Sequence, residues 1–253
     1  MQPAQFAFHF REPAQLRQSC GPARGWAALD KVGQCLRFDR RGRETERAVA
    51  PKLGFGELAV EGPGPFGGAD VAAGFCPATS FEPEDGFSLD RAVLYAIVRQ
   101  ESYFNPKAVS VSNARGLMQL LPSTARDMDR SHNYRRSPAP LFEPGLNMRL
   151  GQSYVRWLMA EFHNDGDLGR LFASYNGGPG WLSRWLNTQA ADIDPLLLLE
   201  TMPRSESRDY AERALSHMAL CRKRYGQPTP ELDRLAAGGA AIYTPLDARV
   251  AER

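Results

Sequence analysis

From residue 81 onward, apolar residues recur at the three- and four-residue spacing of amphipathic helices. Tyr210, Ala214, Met218 and Cys221 form one such stripe. No alternation of apolar and polar residues typical of strands extends for any length in this part of the chain. The pattern predicts an all-α domain with helices over residues 89–102, 122–128, 146–162, 167–175, 181–186 and 205–225, and an apolar run at 196–199.

Residues that favour helix ends define several of these boundaries. Ser88 is predicted as the N-cap of the first helix, with Asp90 in its first turn, where negative charge suits the helix dipole. Pro122 is well suited to the first position of the second helix. Gly226 and Pro228 are predicted to end the last long helix.

The composition changes along the chain and suggests three segments. Residues 1–80 are interpreted as an N-terminal extension of uncertain structure, because much of this segment is irregular and rich in glycine and proline. Residues 81–226 form the predicted helical domain, and residues 227–253 are interpreted as an alanine-rich tail. The site should therefore lie in the central segment.

Glu101 stands at the end of the first predicted helix, on the same face as Ile97 and Val98. Asn105-Pro106 stops the helix soon afterwards, because the residue before proline disfavours helical angles. An acid on a buried face can act as a general acid with a raised pKa. A salt-bridged structural acid fits the periodicity equally well, so both interpretations stay open at this point.

Other polar groups are less specific. A glycosidase usually needs a second carboxylate, and composition alone offers several downstream candidates. Those acids are Glu200, Glu206, Asp209 and Glu212. Tyr175-Asn176 is either an ordinary helix end or a polar pair that faces a cleft. No G-x-S-x-G motif supports a serine hydrolase.

Charge and composition exclude several classes of function. The formal net charge of +2 gives no reason to expect nucleic acid as a partner. The histidines lack metal-ligand spacing, and no apolar run is long enough to span a bilayer. No signal peptide is recognised in the first residues. The four cysteines, which form no C-x-x-C pair, are expected as free, buried thiols: Cys20, Cys35, Cys76 and Cys221.

Four blocks in order resemble the catalytic domain of soluble lytic transglycosylases. They are Gln100-Glu-Ser-x-Phe-Asn-Pro-x-Ala-Val-Ser110, Gly116-Leu-Met-Gln119 with Pro122-x-Thr-Ala125, Ser174-Tyr-Asn-Gly-Gly-Pro-Gly180, and Glu200-Thr-Met-Pro-x-x-Glu-x-Arg-x-Tyr210. Any one block is weak evidence for the family, but the four together are highly specific for it and cover about residues 81–226.

The resemblance implies a lysozyme-like, goose-type α fold and an enzyme that cleaves the β-1,4 bond between N-acetylmuramic acid and N-acetylglucosamine. The product would carry a 1,6-anhydromuramoyl end. By family likeness, Glu101 protonates the glycosidic oxygen and then takes the proton of the attacking C6 hydroxyl. The substrate's N-acetyl group would assist, which makes a second protein carboxylate unnecessary.

The resemblance also implies the other site residues. Ser110 and Gln119 would contact the sugar and its N-acetyl group, and Tyr175 and Asn176 would lie beside the acid. Glu206 and Tyr210, in the closing motif, would shape the cleft or contact substrate, whereas Met118 is expected in the core. No metal or cofactor is implied. The expected partner is the peptidoglycan glycan strand, the expected location is the periplasm or cell envelope, and the expected state is a monomer.

The chain departs from the family pattern at three places. Asn113 replaces the usual glycine, and asparagine tolerates left-handed angles. Gly177 replaces the usual alanine and is expected to loosen its loop. Residues 1–80 match nothing recognisable and could be the remnant of a longer helical domain.

Two alternatives to a lytic transglycosylase stay open. One is a lysozyme-type hydrolase that uses water, and the other is a non-catalytic glycan-binding or secretion-assembly protein that keeps the fold.

Overall fold

The computed structural model describes residues 76–77, 81–161, 165–190 and 192–247. Within these ranges the protein contains helices and three isolated β-bridges but no strand, which confirms the all-α class. The α-helices are α1 (Arg91–Ser102), α2 (Pro122–Met128), α3 (Pro144–Glu161), α4 (Leu168–Gly177), α5 (Pro179–Leu186), α6 (Pro195–Glu200), α7 (Ser205–Arg224) and α8 (Pro230–Ala236). A 3-10 helix, Ala139–Phe142, precedes α3.

Helix α1 forms the centre of the domain. Every residue from Ala92 to Val98 is buried, which requires neighbours on all sides of the helix rather than on one face. Helix α7 packs against α1 on one side and α4 on another. The predicted stripe on α7 is confirmed, since Tyr210, Ala214, Met218 and Cys221 are all buried.

Helices α1 and α7 run antiparallel. Asp90 at the start of α1 lies against Arg222 near the end of α7, while Glu101 at the end of α1 accepts a hydrogen bond from Tyr210 near the start of α7. The two contacts lie nearly the same number of residues apart on each helix, as side-by-side packing requires. The pair therefore has one end at Asp90 and the other at the candidate catalytic acid.

The predicted start of the first helix is wrong by two residues. Helix α1 begins at Arg91, and Asp90 rather than Ser88 is its N-cap residue. The Asp90 carboxylate makes no capping bond to its own helix; it accepts hydrogen bonds from the backbone N–H groups of Leu246 and Asp247. These partners lie more than 150 residues away, so helix-capping rules could not reveal them.

Residues 227–247 pack onto the domain. Arg222 is fully buried, with its Nη2 atom 3.1 Å from Asp90 Oδ2 and 2.7 Å from Glu231 Oε1. The same Nη2 donates a hydrogen bond to the carbonyl of Thr244. Buried charges of this kind are tolerated only when they are paired. The one guanidinium therefore joins the start of α1, the end of α7 and the segment after α8.

Cys76 and Cys221 form a disulfide, so the prediction of free thiols is wrong for this pair. The two residues are separated by 145 positions, and no spacing rule connects cysteines at that distance. The bond ties the segment before α1 to the end of α7. Cys20 and Cys35 lie outside the described residues, as does the predicted extension up to residue 75.

We expect a variant with both Cys76→Ala and Cys221→Ala to lose about 2–4 kcal/mol of unfolding free energy, because the cross-link closes a long loop and restricts the unfolded chain. Urea unfolding, with and without dithiothreitol, measures this. The reductant should destabilise the natural chain and remove most of the difference between it and the variant. Equal unfolding midpoints for both proteins without reductant would contradict the prediction.

Candidate active site

Glu101 occupies the last turn of α1, where the chain leaves the helix abruptly. The next residues, Tyr103 and Phe104, have left-handed backbone angles, with φ of 51° and 64°. Such angles are uncommon outside glycine and persist only where the surrounding structure holds them. Phe104 is held by an edge-to-face contact with the buried ring of Tyr95. The side chain of Glu101 is half-buried.

Two tyrosines surround the carboxyl group of Glu101. The hydroxyl of Tyr210 donates a hydrogen bond of 2.7 Å to Glu101 Oε1. The ring of Tyr175 stacks on that of Tyr210 at a centroid distance of 6.4 Å. The hydroxyl of Tyr175 donates to the backbone carbonyl of Met118 at 2.8 Å. Helices α1, α4 and α7 thus meet at the acid through aromatic side chains.

The environment shifts the pKa of Glu101 upward. Burial is the largest cause and raises it to about 7, the Tyr210 hydrogen bond lowers it, and the negative charge of Glu206 raises it. No described ion pair joins Glu101 to a cation. A carboxyl group with this pKa is partly protonated near neutral pH, so it can both donate and accept a proton.

Gln119 lies in the loop between α1 and α2. Its backbone is left-handed, with φ of 45°. The side-chain Nε2 donates to the carbonyls of Ala108 and Gly116, at 3.1 Å and 2.9 Å. The amide nitrogen therefore stabilises the loop, and no described hydrogen bond engages the amide oxygen. Backbone bridges between Arg115 and its neighbours in the loop give it further rigidity.

Ser110 belongs to the same loop. Its hydroxyl accepts a hydrogen bond from the backbone N–H of Ala114, and its own N–H donates to the Ala114 carbonyl. These bonds surround Asn113, whose φ of 64° confirms that asparagine adopts the left-handed angle required at this turn. Ser110 is half-buried, and its described bonds stay within the loop rather than reaching Glu101.

Asn147 is a site-supporting residue that the sequence analysis missed. It is fully buried, and its side-chain oxygen accepts from the Met118 backbone N–H. Its amide nitrogen donates to the carbonyls of Arg115 and Leu141. The available signal was position, since Asn147 falls on the same helical face as Leu150, where an apolar residue is expected.

Asn176 is turned toward α7. Its side-chain oxygen accepts from the hydroxyl of Ser207 at 2.8 Å, so it joins two helices beside the acid. The neighbouring Gly177 is the last residue of α4, and a Cβ there would come within 2.5 Å of Ser207 Oγ. The glycine therefore permits close helix packing, whereas the sequence predicts a loosened loop.

Glu206 is exposed in the first turn of α7. It lines an open depression together with Asn176, Gly177 and residues 203–207. Its charge influences Glu101, but no described hydrogen bond joins the two carboxylates. Glu101 thus interacts electrostatically with Tyr175, Tyr210 and Glu206.

The remaining candidate carboxylates form a separate group. Burial, with the charges of Glu200 and Asp209, raises the pKa of Glu212 to about 7. Arg208 lies between these acids and donates to the Glu200 carbonyl. None of the three contributes to the pKa shift of Glu101, so none is placed as its catalytic partner.

No group of three or more histidine, cysteine or acidic residues in the described ranges could hold a metal ion. None of the described helices combines the length and the apolar character needed to cross a membrane.

Comparison with known proteins connects this geometry to a family. Residues 78–196 match the family model of the Transglycosylase SLT domain. The soluble lytic murein transglycosylase of Salmonella typhimurium is 38% identical over 146 residues, which cover 56% of this chain and 22% of that protein. The membrane-bound lytic murein transglycosylase C of Shigella sonnei is 34% identical over 157 residues, which cover 54% of this chain and 44% of that protein. The chain spans about a fifth of the length of the soluble relatives.

Solved structures show the same likeness. The 70 kDa soluble lytic transglycosylase of Escherichia coli aligns with a TM-score of 0.53 and 28% identity, over 79% of this chain and 33% of that one. The lytic transglycosylase Slt of Pseudomonas aeruginosa aligns with a TM-score of 0.50 and 25% identity, over 81% of this chain and 29% of that one. The latter is an inactive mutant in which a glutamate is replaced by glutamine. The predicted lysozyme-like SLT fold is confirmed.

The two neighbours of Glu101 should move its pKa in opposite directions. Tyr210→Phe removes the hydrogen bond that lowers it, so the pKa should rise above about 7. Glu206→Gln removes the charge that raises it, so the pKa should fall below about 7. Carbon-13 NMR titration of the glutamate carboxyl groups measures both shifts, with Glu101→Gln identifying the resonance. Shifts of the same sign in both variants would be inconsistent with this site.

Proposed function

We propose that the chain is a peptidoglycan lytic transglycosylase with Glu101 as its catalytic acid, because residues 78–196 match the model of the transglycosylase SLT family. The substrate is the glycan strand of murein, as the names of the relatives suggest. The observation that carries the proposal is a carboxyl group with a pKa of about 7, hydrogen-bonded to Tyr210 at a helix end.

The reaction uses Glu101 twice. The protonated carboxyl group donates its proton to the glycosidic oxygen, and the bond from that oxygen to C1 of the muramoyl sugar breaks. The C6 hydroxyl of the same sugar then attacks C1, and its proton returns to Glu101. A 1,6-anhydro ring forms, the departing sugar carries the first proton, and no water is consumed.

The surroundings of Glu101 support this route over a two-carboxylate hydrolysis. Retaining glycosidases place a second carboxylate as nucleophile close to the acid. Glu206 acts on Glu101 through its charge and stands exposed in the first turn of α7, while Glu200, Asp209 and Glu212 form a group of their own. An internal nucleophile, the C6 hydroxyl, fits a site with one acid.

The tyrosines have a positioning role in this mechanism. Tyr210 stabilises the charged form of Glu101 through its hydroxyl, which limits how far burial raises the pKa. Tyr175 ties the ring stack to the Met118 carbonyl and so fixes the loop that carries Gln119. Their own pKa values are raised well above the usual range by burial, so both hydroxyls stay protonated.

Gln119 and Ser110 are the proposed contacts to the sugar and its N-acetyl group. The nitrogen of the Gln119 amide donates to two loop carbonyls, and no described hydrogen bond engages its oxygen. Asn176 holds α4 to α7 through Ser207 and lines the open depression. Glu206, exposed beside this junction, is the residue that we propose to contact substrate there.

The protein acts in the cell envelope under this proposal, and the periplasm is the compartment we infer. The Cys76–Cys221 disulfide supports an oxidising environment, since such bonds form and persist mainly outside the cytosol. The relatives include both soluble and membrane-bound lytic transglycosylases.

Replacement of the acid tests the assignment. We expect Glu101→Gln to lower the rate of peptidoglycan cleavage about 10²–10⁴-fold, because the amide cannot donate the proton. Glu212→Gln is a matched control, as that acid also has a pKa of about 7 but lies in the separate group. Mass spectrometry of the digest should show anhydromuramoyl ends. Reducing muramic ends alone would indicate a lysozyme-type hydrolase, and unchanged activity in Glu101→Gln would indicate a non-catalytic glycan-binding protein.

The rate should also report the protonation of Glu101. The first step needs the protonated carboxyl group, so kcat should fall as the pH rises through about 7, the pKa of Glu101. In Tyr210→Phe this alkaline limb should move to higher pH. A rate that stays constant from pH 6 to pH 9 would exclude Glu101 as the acid.

A further inference from the structure

Arg204, the residue before α7, is exposed, yet two contacts hold its side chain. Its guanidinium lies over the ring of Trp181, with Cζ 4.6 Å from the ring centroid. Its Nη1 atom donates a hydrogen bond of 3.0 Å to the carbonyl of Gly177, the last residue of α4. A free arginine side chain samples many rotamers, so two simultaneous contacts favour one orientation of the guanidinium.

The contacts of Arg204 depend on Gly177. Trp181 packs against the core and lies parallel to Trp185, with ring centroids 6.2 Å apart. A Cβ atom at position 177 would come within 3.2 Å of Trp181 Cε3 and 2.5 Å of Ser207 Oγ, so both neighbours would have to shift. The departure from the family pattern at this position therefore permits the packing that orients the arginine.

Within the described residues, most of the hydrogen-bonding capacity of Arg204 is unused. A guanidinium group carries five N–H donors, and the Gly177 carbonyl is the one acceptor described for them. No described ion pair joins Arg204 to an acid. A guanidinium that is oriented but has no anionic partner is suited to a carboxylate, which it can bind through two parallel hydrogen bonds.

Arg204 lines the open depression that adjoins the candidate active site. Asn176 and Glu206 line the same depression. Glu206 lies one turn before Tyr210, the tyrosine that donates to Glu101, and its negative charge acts on that acid. A ligand in the depression would therefore meet both a cation and an anion, next to the residues that surround the acid.

The stem peptide of peptidoglycan carries groups that complement this pair of charges. It is attached to the muramoyl sugar, whose C1 forms the bond that Glu101 would break. Its free carboxylates can pair with Arg204, and its amide N–H groups can donate to Glu206. The neutral sugar rings offer hydroxyl groups to an arginine but no anion.

We propose that Arg204 is a specificity-determining residue that binds a carboxylate of the stem peptide. The inference rests on the proposed function, which puts a muramoyl sugar beside Glu101. Trp181 and Gly177 are positioning residues in this site, because they act on the peptide only by orienting the guanidinium.

Binding in the Glu101→Gln background tests the proposal without cleavage. The probes are soluble tetrasaccharides of alternating N-acetylglucosamine and N-acetylmuramic acid, whose stem peptides carry either free or chemically amidated carboxylates. Calorimetry should show that the background protein binds the free form about three- to tenfold more tightly, as expected for a charge-assisted contact near solvent. Addition of Arg204→Gln should remove this preference and leave the affinity for the amidated probe unchanged.

Two further variants and the salt dependence separate recognition from general charge effects. Arg204→Lys keeps the charge but loses the planar fork of donors, so it should retain only part of the preference. Arg135→Gln removes another exposed arginine without a described ion pair and should retain all of it. Added salt should reduce the preference of the background protein, because ions screen exposed charges.

The remaining outcomes would count against the site. Equal affinity for both probes, absence of binding to either, or a preference that survives Arg204→Gln would overturn the proposal. Equal losses for both probes with a lowered melting temperature would show that Arg204 only supports the fold. Failure of the proposed function is visible separately, as absence of peptidoglycan cleavage by the natural chain. A preference that depends on Arg204, together with that absence, would leave a peptide-binding site and refute only the enzyme.

Discussion

The contact of α1 with α7 is the constraint on which the rest of the domain depends. The two helices are antiparallel, and each end of the pair holds one acid of α1. At the first end, Asp90 is fully buried and paired with Arg222. At the other end, Glu101 meets a tyrosine hydroxyl instead of a cation. The same packing thus gives one carboxylate a cationic partner and leaves the other able to hold a proton near neutral pH.

The rigidity of the site comes from the backbone of its loops as much as from side chains. Left-handed angles occur at Tyr103 and Phe104, just after the acid, and at Gln119 in the following loop. Asn147 and Tyr175 hold the loop after α1 from two sides, through the N–H and the carbonyl of Met118. Strained backbone tends to collect at functional sites where surrounding contacts over-determine it. These contacts therefore fix the loop that carries Gln119.

Features with a local cause could be predicted from the sequence. Helix α2 coincides with its prediction because Pro122 determines its start, and the buried stripe of α7 follows from helical periodicity. The disulfide, the partners of Asp90 and the role of Asn147 could not be predicted, because each depends on residues distant along the chain. For the site, the motif order predicted Glu101 and Tyr210 as candidates, and only the fold supplied the pKa of Glu101 and the ring contacts of Tyr210.

The buried Arg222 also governs the order in which the chain can fold. Asp90 leaves the ribosome long before Arg222, Glu231 and the residues around Leu246 that surround it. Native contacts so remote in sequence raise the contact order, and a higher contact order slows folding. Helix α1 therefore cannot complete its burial until nearly all the described chain has been synthesised. The acid at its far end acquires its environment in the same late step, because Tyr210 and Glu206 also follow it by more than 100 residues.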